Sequence, residues 1–420
     1  MVENDNDIVI VSACRTAIGS FGGTLAKGKT KLSPTKKFDA PTLGSIVIKE
    51  ALKRANNLDP SIINDVRMGC CLEPVDAMNV ARCAAFMAGV PVEVPAVTLD
   101  RVCISGMAAI TSGMHQIMTG FSDIVLAGGT EAMSMVPYVV EKARWGCRLQ
   151  DTTFADGLIH GLHAGSIYMP YQPPNEKRPR KYIMGDTSDF LAEKHGFTRE
   201  QLDEIALKSH NGAEKATKDG LFKEEIIPIE VLRRKKDPIM FDKDEHFRPG
   251  LTMEQLSQLR PAFKKDGVTT AGNSSGINDG AAAMIIMRRS KAKDLGLEPL
   301  GKITGLGMGA CEPWFMGESP IPAVRDLLRR TGRKLEEFER IEVNEAFAAQ
   351  YLSVEKELGL NRDITNIHGS GIGLGHPVGC TGARIMVTLL YDMIHNDLHC
   401  GLATLCGGGG VSQAVIIERD

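Results

Sequence analysis

A glycine-rich segment around a single histidine is the first part of this sequence that could carry chemistry. Residues 369–384 hold six glycines within fourteen positions, and glycine lets a ligand approach the main chain closely. Pro377 suits the first turn of a helix, and apolar residues then continue at four-residue spacing from Ile385 to Met393. The segment predicts a tight loop that presents His376 at a helix N-terminus; the alternative is a glycine-rich turn with a capping histidine.

Two cysteines could supply thiol chemistry. Cys103 precedes apolar residues that recur from Met107 to Phe121 at offsets of three, four, seven and eleven, which is the pattern of one face of an amphipathic helix. The free N–H groups and the dipole at a helix start stabilise a thiolate. We therefore expect a lowered pKa for Cys103, unless it is a buried and inert cysteine. Cys406 precedes Gly407–Gly410, whose backbone N–H groups no side chain obstructs.

These residue types fit one class of reaction. Acyl transfer by a thiol needs a nucleophile, a base that ionises it and N–H donors for the oxyanion. Cys103 can supply the nucleophile and His376 the base, while the glycines around Cys406 can supply the donors. The prediction requires the fold to bring together three positions that lie far apart in the chain.

Strands and helices alternate around these residues. Ile8–Ser12 is a β-branched run typical of a strand buried on both faces, and Asp123–Ala127 is an apolar strand directly after the Cys103 helix. The second half repeats the order of loop, small-residue helix, apolar strand and Gly-Gly, and it ends in the strand Ser412–Glu418. We interpret this as a weak internal duplication and predict α/β layering with parallel strands.

A central region differs in character from both halves. Residues 135–271 are rich in Lys, Arg, Asp and Pro, with a predicted helix over 197–217 and a basic turn over 175–181. We interpret this region as an inserted loop domain that covers a site. The predicted units are a first half of residues 1–134 plus 272–298, the loop domain of residues 135–271, and a second half of residues 299–420.

Composition narrows the function classes. The 420 residues carry a net charge of −3, which gives no support for nucleic-acid binding, and no apolar run approaches the roughly 18 residues that span a bilayer. The acidic N-terminus predicts no signal peptide, and the C-terminus carries no peroxisomal address. The ten cysteines then indicate free thiols in a reducing compartment, the cytoplasm. Cys70 and Cys71 lack a CxxC partner pair, so we expect no metal site.

One basic loop stands apart from this nearly neutral chain. Residues 24–43 contain Lys27, Lys29, Lys31, Lys36 and Lys37 together with two prolines. We expect a solvated surface loop; the alternative is a docking arm for an acidic partner.

The motifs in this order resemble the thiolase family over nearly the whole chain. The segments that carry the resemblance are Val102–Gly106, Ala127–Ser134, Arg260–Phe263, Thr270–Gly280, Met316–Pro322, Asn344–Phe347, Gly375–Arg384 and Leu405–Gly409. The resemblance implies the thiolase fold, in which two similar βαβαβαββ halves form five α-β-α-β-α layers with an inserted loop domain. It also implies a homodimer or homotetramer, coenzyme A thioesters as substrates and no permanently bound cofactor.

The resemblance assigns a role to each reactive position. Cys103 attacks the acyl-CoA and carries the acyl group, while His376 activates Cys103 and polarises the thioester oxygen. Asn344 positions a water that completes the first oxyanion hole, and the N–H groups of Cys103 and Gly408 form the second. Cys406 is the acid and base toward the α-carbon of a second thioester, which carbon–carbon bond formation requires. Independently of the resemblance, Asn344 could merely cap a helix.

The resemblance also implies the coenzyme A contacts. They fall on Arg248, which stacks near the adenine, and on Phe263, Ser275 and Phe347. Met184 matches the loop that lies over the acyl pocket. Phe263 could instead be a core residue.

Two departures from the family pattern bear on the substrate. Ile104 follows the nucleophile where glycine is usual, and Ile183 stands where acetoacetyl-type thiolases often carry histidine. We therefore hypothesise specificity for an unusual or bulkier 3-oxoacyl chain, in fatty acid metabolism. A carrier-protein ketosynthase is less consistent with these residues, because such an enzyme would pair two histidines with the cysteine. A non-catalytic scaffold would not need all four reactive side chains. The sequence leaves the direction of the reaction open.

Overall fold

One large mixed sheet runs through the molecule. The computed structural model describes residues 4–168 and 181–420. Its main strands are β1 Ile8–Thr16, β2 Asp65–Gly69, β3 Ala96–Leu99, β4 Ile124–Ala132, β5 Asn278–Arg288, β6 Gly301–Ala310, β7 Arg340–Val343, β8 Cys400–Gly407 and β9 Val411–Glu418. They lie side by side in the order β7-β8-β9-β6-β1-β5-β4-β2-β3. The two halves meet where β1 pairs with β6 over three residues.

The principal helices flank and separate the two parts of this sheet. They are α1 Ala40–Arg54, α2 Val80–Ala88, α3 Ser105–Met118, α4 Met184–His195, α5 Arg199–Asp219, α6 Pro320–Thr331, α7 Ala348–Leu358 and α8 Val378–His395. Shorter helices are Thr24–Lys27, Gly157–Gly161, Met253–Ser257 and Arg289–Asp294. Smaller strands are Gly19–Ser20, Tyr138–Val139, Ala155–Asp156, Ile226–Ile227, Ile229–Arg233 and Lys236–Phe241.

Alternating strand residues divide the core into layers. Val9 packs into an outer core with α1 and α2, whereas Ile10 faces a central core that contains α3 and α8. In the second half, Ile416 packs outward with α6 and α7, whereas Ile417 faces the same central core. Because side chains alternate along a strand, each part of the sheet is covered on both faces. This arrangement confirms the five α-β-α-β-α layers of the predicted fold class.

The prediction of parallel strands is only partly correct. β2 pairs in parallel with β3 and β4, and β7 pairs in parallel with β8. β5 instead runs antiparallel to both β1 and β4, and β8 runs antiparallel to β9. A connection of three residues joins β8 to β9, and so short a connection can only return the chain in the opposite direction.

Local signals account for the helix bounds. α1 begins at Ala40, because the Asp39 carboxylate accepts the N–H of Thr42 at 3.1 Å. Asn79 caps α2 in the same way, and Gly89 ends that helix in the left-handed conformation. α5 spans Arg199–Asp219, close to the prediction over 197–217. The basic turn over 175–181 lies outside the described residues except for Lys181.

Candidate active site

Cys103 lies in a strained turn at the start of α3. The helix begins at Ser105, so the cysteine lies two residues before it. Val102 has a φ of +51°, a rare conformation for a β-branched residue. The Ser105 hydroxyl donates to the carbonyl of Val102 at 2.6 Å and accepts the N–H of Arg101 at 2.7 Å. These bonds hold the turn, and backbone strain of this kind clusters at functional sites.

The expected lowering of the Cys103 pKa is wrong. Burial raises the pKa of the Cys103 thiol to about 11, because a thiolate in an apolar site loses its hydration. Two backbone groups, the N–H of Gly408 and the N–H of Cys103 itself, lower that pKa in part. Both are the donors predicted for the second oxyanion hole, and both favour the ionised form of the Cys103 thiol. In the resting protein the cysteine is therefore a neutral thiol.

Cys406 lies close to Cys103 despite the long stretch of chain between them. It is fully buried near the end of β8. Burial raises the pKa of Cys406 well above its usual value, and the charge of a Cys103 thiolate raises it further. The structure therefore brings the two predicted cysteines into one site.

His376 is a neutral, oriented imidazole. Its Nδ1 lies 2.7 Å from the hydroxyl of Thr381, and that hydroxyl lies 2.9 Å from the carbonyl of Pro377. Because the hydroxyl donates to the carbonyl, it accepts from Nδ1–H, and Nε2 carries the lone pair. Nε2 is buried with no hydrogen-bond partner in the described part of the chain. Burial lowers the pKa of His376 to about 3, and the positive charge of Arg384 contributes.

Asn344 lies beside His376. Its Nδ2 is 3.5 Å from Nδ1 of His376, and its backbone N–H donates to the carbonyl of Thr404 at 3.0 Å. Its Oδ1 is buried without a partner among residues 4–168 and 181–420. The residue follows β7 and precedes α7 by several positions, so it does not cap that helix.

One buried carboxylate ties the turn of Cys103 to the loop of His376. Glu131 accepts the N–H groups of Cys71 and Gly379 at 2.9 Å and that of Leu72 at 3.2 Å. Burial raises the pKa of Glu131 to about 6, and these donors oppose that rise. Val378, two residues after His376, shares an apolar cluster with Cys103. The catalytic candidates from both halves therefore converge.

The predicted coenzyme A residues form a wall that leads to Cys406, with one exception. Met184 packs on the cluster that contains Phe347 and Cys406. Phe263 contacts Phe347 edge to face, with 6.3 Å between ring centroids. The N–H of Ser275 donates to Ala346, the neighbour of Phe347, at 3.0 Å.

The exception is Arg248, which lies apart from this wall on an exposed segment. Its backbone N–H donates to Nδ1 of His210 at 3.3 Å. His246, two residues earlier, stacks near His210 and lies against Gly276, the neighbour of Ser275. Burial lowers the pKa of His210 and of His246 to about 4, so both rings are neutral. Through His246, the segment that carries Arg248 therefore lies next to Gly276 and Ser275.

Sequence reasoning misplaced one side chain and missed others. Ile104 does not lie beside the thiol: it is fully buried in the central core, next to Met107. The turn before α3 directs the two neighbouring side chains into different clusters: Cys103 packs with Val378, whereas Ile104 packs in the central core. Thr381, which orients His376, and Met316, which packs beside Cys406, were not predicted. A hydroxyl five residues after the histidine was the available signal for Thr381.

Metal-binding clusters and membrane-spanning helices are both absent from residues 4–168 and 181–420. No group of three or more His, Cys, Asp or Glu side chains there could hold a metal ion. None of the helices in those ranges combines the length and apolar character of a membrane span.

The raised thiol pKa predicts the pH dependence of Cys103 alkylation. Because the pKa is about 11, the thiolate fraction should rise about tenfold per pH unit below that value. We expect the rate of iodoacetamide labelling of Cys103 to increase without a plateau from pH 7 to pH 9.5. Peptide mass spectrometry measures this rate. Exposed Cys147 serves as the internal reference. A plateau of Cys103 labelling near pH 7 would mean an ionised resting thiol.

Comparison with known proteins gives matches along almost the entire chain. The family model for the thiolase N-terminal domain matches residues 8–290, and that for the thiolase C-terminal domain matches residues 297–419. The acetyl-CoA acetyltransferase of Cupriavidus necator is 43% identical, over 98% of this chain and 99% of its own.

Solved structures agree with the sequence matches. The acetyl-CoA acetyltransferase of Bacillus anthracis is 43% identical with a TM-score of 0.89, over 98% of each chain. Human mitochondrial 3-ketoacyl-CoA thiolase in complex with CoA is 37% identical with a TM-score of 0.89, over 99% of this chain and 98% of that chain.

Proposed function

The chain belongs to the thiolase family, and on that basis we propose that it transfers acyl groups reversibly between coenzyme A thioesters. One direction is the thiolysis of a 3-oxoacyl-CoA; the other is the Claisen condensation of an acyl group with acetyl-CoA. The observation that carries the proposal is the proximity of two buried thiols from opposite halves, Cys103 and Cys406, because the reaction needs both a nucleophile and a second acid–base group.

The first half-reaction uses the neutral thiol and imidazole. In thiolysis, the Cys103 sulfur bonds to the 3-oxo carbon while its proton passes to Nε2 of His376, whose lone pair is free. The bond between the 2- and 3-carbons then breaks, and the acyl group stays on Cys103. The N–H groups of Cys103 and Gly408 already lie at this sulfur and support stabilisation of an oxyanion there.

The second acid–base group acts at the α-carbon. As the carbon–carbon bond breaks, the electron pair leaves on acetyl-CoA as an enolate, and the Cys406 thiol protonates it. A coenzyme A thiol then attacks the acyl group on Cys103 and gives its proton to the Cys406 thiolate, while the His376 imidazolium returns its proton to the departing Cys103 sulfur. In condensation the same steps run in reverse, with the Cys406 thiolate removing an α-proton. The apolar cluster around Cys406 supports exclusion of water from the enolate.

We propose that the substrate enters along the wall of Met184, Phe263, Ser275 and Phe347, with Arg248 near its nucleotide end. The human thiolase complex with CoA supports this assignment at the level of the family. No permanently bound cofactor is needed, because thiols and an imidazole supply all the proton and acyl transfers.

The acyl chain is the open part of the proposal. Ile104 faces the core and no longer supports a bulkier substrate, whereas Ile183 is only half buried, next to Met184 at the pocket wall. A thiolysis screen with acetoacetyl-CoA and with longer and branched 3-oxoacyl-CoA esters tests which acyl chain the pocket accepts. A higher kcat/KM for a bulky ester supports the specialised form, and a preference for acetoacetyl-CoA rejects it. Failure to cleave any ester would reject the thiolase reaction.

We propose a homodimer, or a tetramer of two such dimers, built on the edge strand β3. Within the described chain, β3 pairs on one side only, with β2, and its residues are half buried. Exposed apolar side chains lie nearby in sequence, among them Phe86 and Val92. An open strand edge beside exposed apolar groups favours pairing with a second copy.

We also propose a cellular location for the protein and a division of the chain into three units. All ten cysteines are free, which supports a reducing compartment such as the cytoplasm. The division into residues 1–134 plus 272–298, 135–271 and 299–420 is supported by the return of the chain into the first half as β5, which pairs with β1 and β4.

A further inference from the structure

The lysine-rich loop forms one wall of a cavity that none of the candidate active-site residues lines. The cavity has a volume of about 440 Å³, which is within the range of small-molecule sites. The opposite wall is the hairpin of strands Ile229–Arg233 and Lys236–Phe241. The charged residues that line it are Lys29, Lys31, Lys36, Arg233 and Arg234. We call it the basic cavity.

The backbone fixes the two walls against each other. The N–H of Lys29 donates to the carbonyl of Leu232, and the N–H of Leu232 donates back, both at 2.9 Å. The loop then closes on itself, because the N–H of Thr30 donates to the carbonyl of Lys36 at 3.2 Å. Lys36 holds a φ of +58°, which is uncommon for a lysine. The cations are therefore gathered by defined backbone contacts.

Nothing within the cavity neutralises these charges. Its lining includes no carboxylate, and the five cations form no salt bridge in the part of the chain that the structure describes. The nearby carboxylate of Asp39 is engaged in capping α1, and Arg233 donates to the backbone carbonyl of Asp237. Five positive charges thus converge in a chain whose net charge is −3.

The chemistry of the lining favours a phosphate. Lysine ammonium groups and the forked guanidinium groups of arginine bind phosphate oxygens with charge-assisted hydrogen bonds. The hydroxyl-bearing residues Thr30 and Ser33 also line the cavity. A concave wall of one charge sign raises the local concentration of counter-ions. We propose that the basic cavity binds a small molecule through a phosphate or diphosphate group.

Direct titration of the full-length protein with inorganic pyrophosphate tests the proposal without using enzyme activity. By isothermal titration calorimetry at low ionic strength, we expect one site per chain. The double variant Lys31→Glu, Arg234→Glu should bind at least about tenfold more weakly, because attraction becomes repulsion.

A second double variant provides the matched control. Lys37→Glu, Lys235→Glu makes the same change of charge on the same loop and hairpin, but neither residue lines the cavity. We expect its affinity for pyrophosphate to stay within about threefold of the wild type. Absence of binding to the wild type, or an equal loss in both double variants, would overturn the proposal.

Competition identifies the source of the phosphate. If coenzyme A displaces pyrophosphate and dephospho-coenzyme A does not, the 3′-phosphate of the proposed substrate occupies the basic cavity. If neither displaces it, the site belongs to a separate phosphorylated molecule. Binding of several pyrophosphate ions per chain with the same affinity in all variants would mean a diffuse surface effect and would reject the site.

Discussion

Replacing Cys103 with alanine should abolish the acyl-enzyme and lower the thiolysis rate by on the order of 10⁴-fold or more. In the proposed mechanism the acyl group bonds to this thiol, and the backbone N–H groups of Gly408 and Cys103 favour its ionised form. The backbone turn should survive the change, because Ser105 and Val102 hold it. The loss is therefore expected in chemistry, with little change in folding.

Intact-protein mass spectrometry after incubation with acetyl-CoA measures this directly. The wild type should gain one acetyl group on Cys103, and Cys103→Ala should gain none. Cys71→Ala is the matched control, because the Cys71 thiol packs in the same apolar cluster and donates to the carbonyl of Val102 at 2.9 Å. It should keep the adduct. An adduct on Cys103→Ala would mean that another residue is the nucleophile.

Replacing Cys406 with serine should separate the two half-reactions. The variant should still form the acyl-enzyme, while exchange of the α-protons and condensation should fall by about 10²–10⁴-fold. A serine hydroxyl is far less acidic than a thiol, and the fully buried position would make its alkoxide still less accessible. Size and shape change little, so the pocket should remain intact.

Deuterium incorporation into the methyl group of acetyl-CoA in D₂O, followed by NMR, reports the α-carbon step alone. Cys400→Ser is the control, because Cys400 starts the same strand β8 and is also buried but lies outside the site. It should exchange deuterium at the wild-type rate. Normal exchange by Cys406→Ser would assign the base to a different residue.

Local signals predicted much of the fold. The apolar run of β1 depends only on neighbours in sequence, so this strand could be predicted without coordinates. α8 was predicted from its apolar spacing, and the structure adds that it is buried on nearly every side. Strand direction depends on the length of connections and on the inserted region, and there the prediction was only partly right.

Properties set by tertiary contacts could not be predicted in the same way. The helix start suggested a low pKa for Cys103, but desolvation by residues distant in the chain outweighs it. The direction of Ile104 depends on the conformation of the turn before α3, which the sequence does not define. Arg248 lies on an exposed segment, and its position depends on the contact of its backbone N–H with His210 of α5. The roles of the individual site residues remain predictions.

The sharing of Glu131 between the halves has a consequence for how such a molecule can evolve. Its carboxylate accepts N–H groups from Cys71 in one half and from Gly379 in the other. Separated from the second half, the first would lose a donor to this buried charge and would leave the apolar face beside α3 in water. We therefore expect the two halves to fold as one unit, even if they arose by duplication of one sequence.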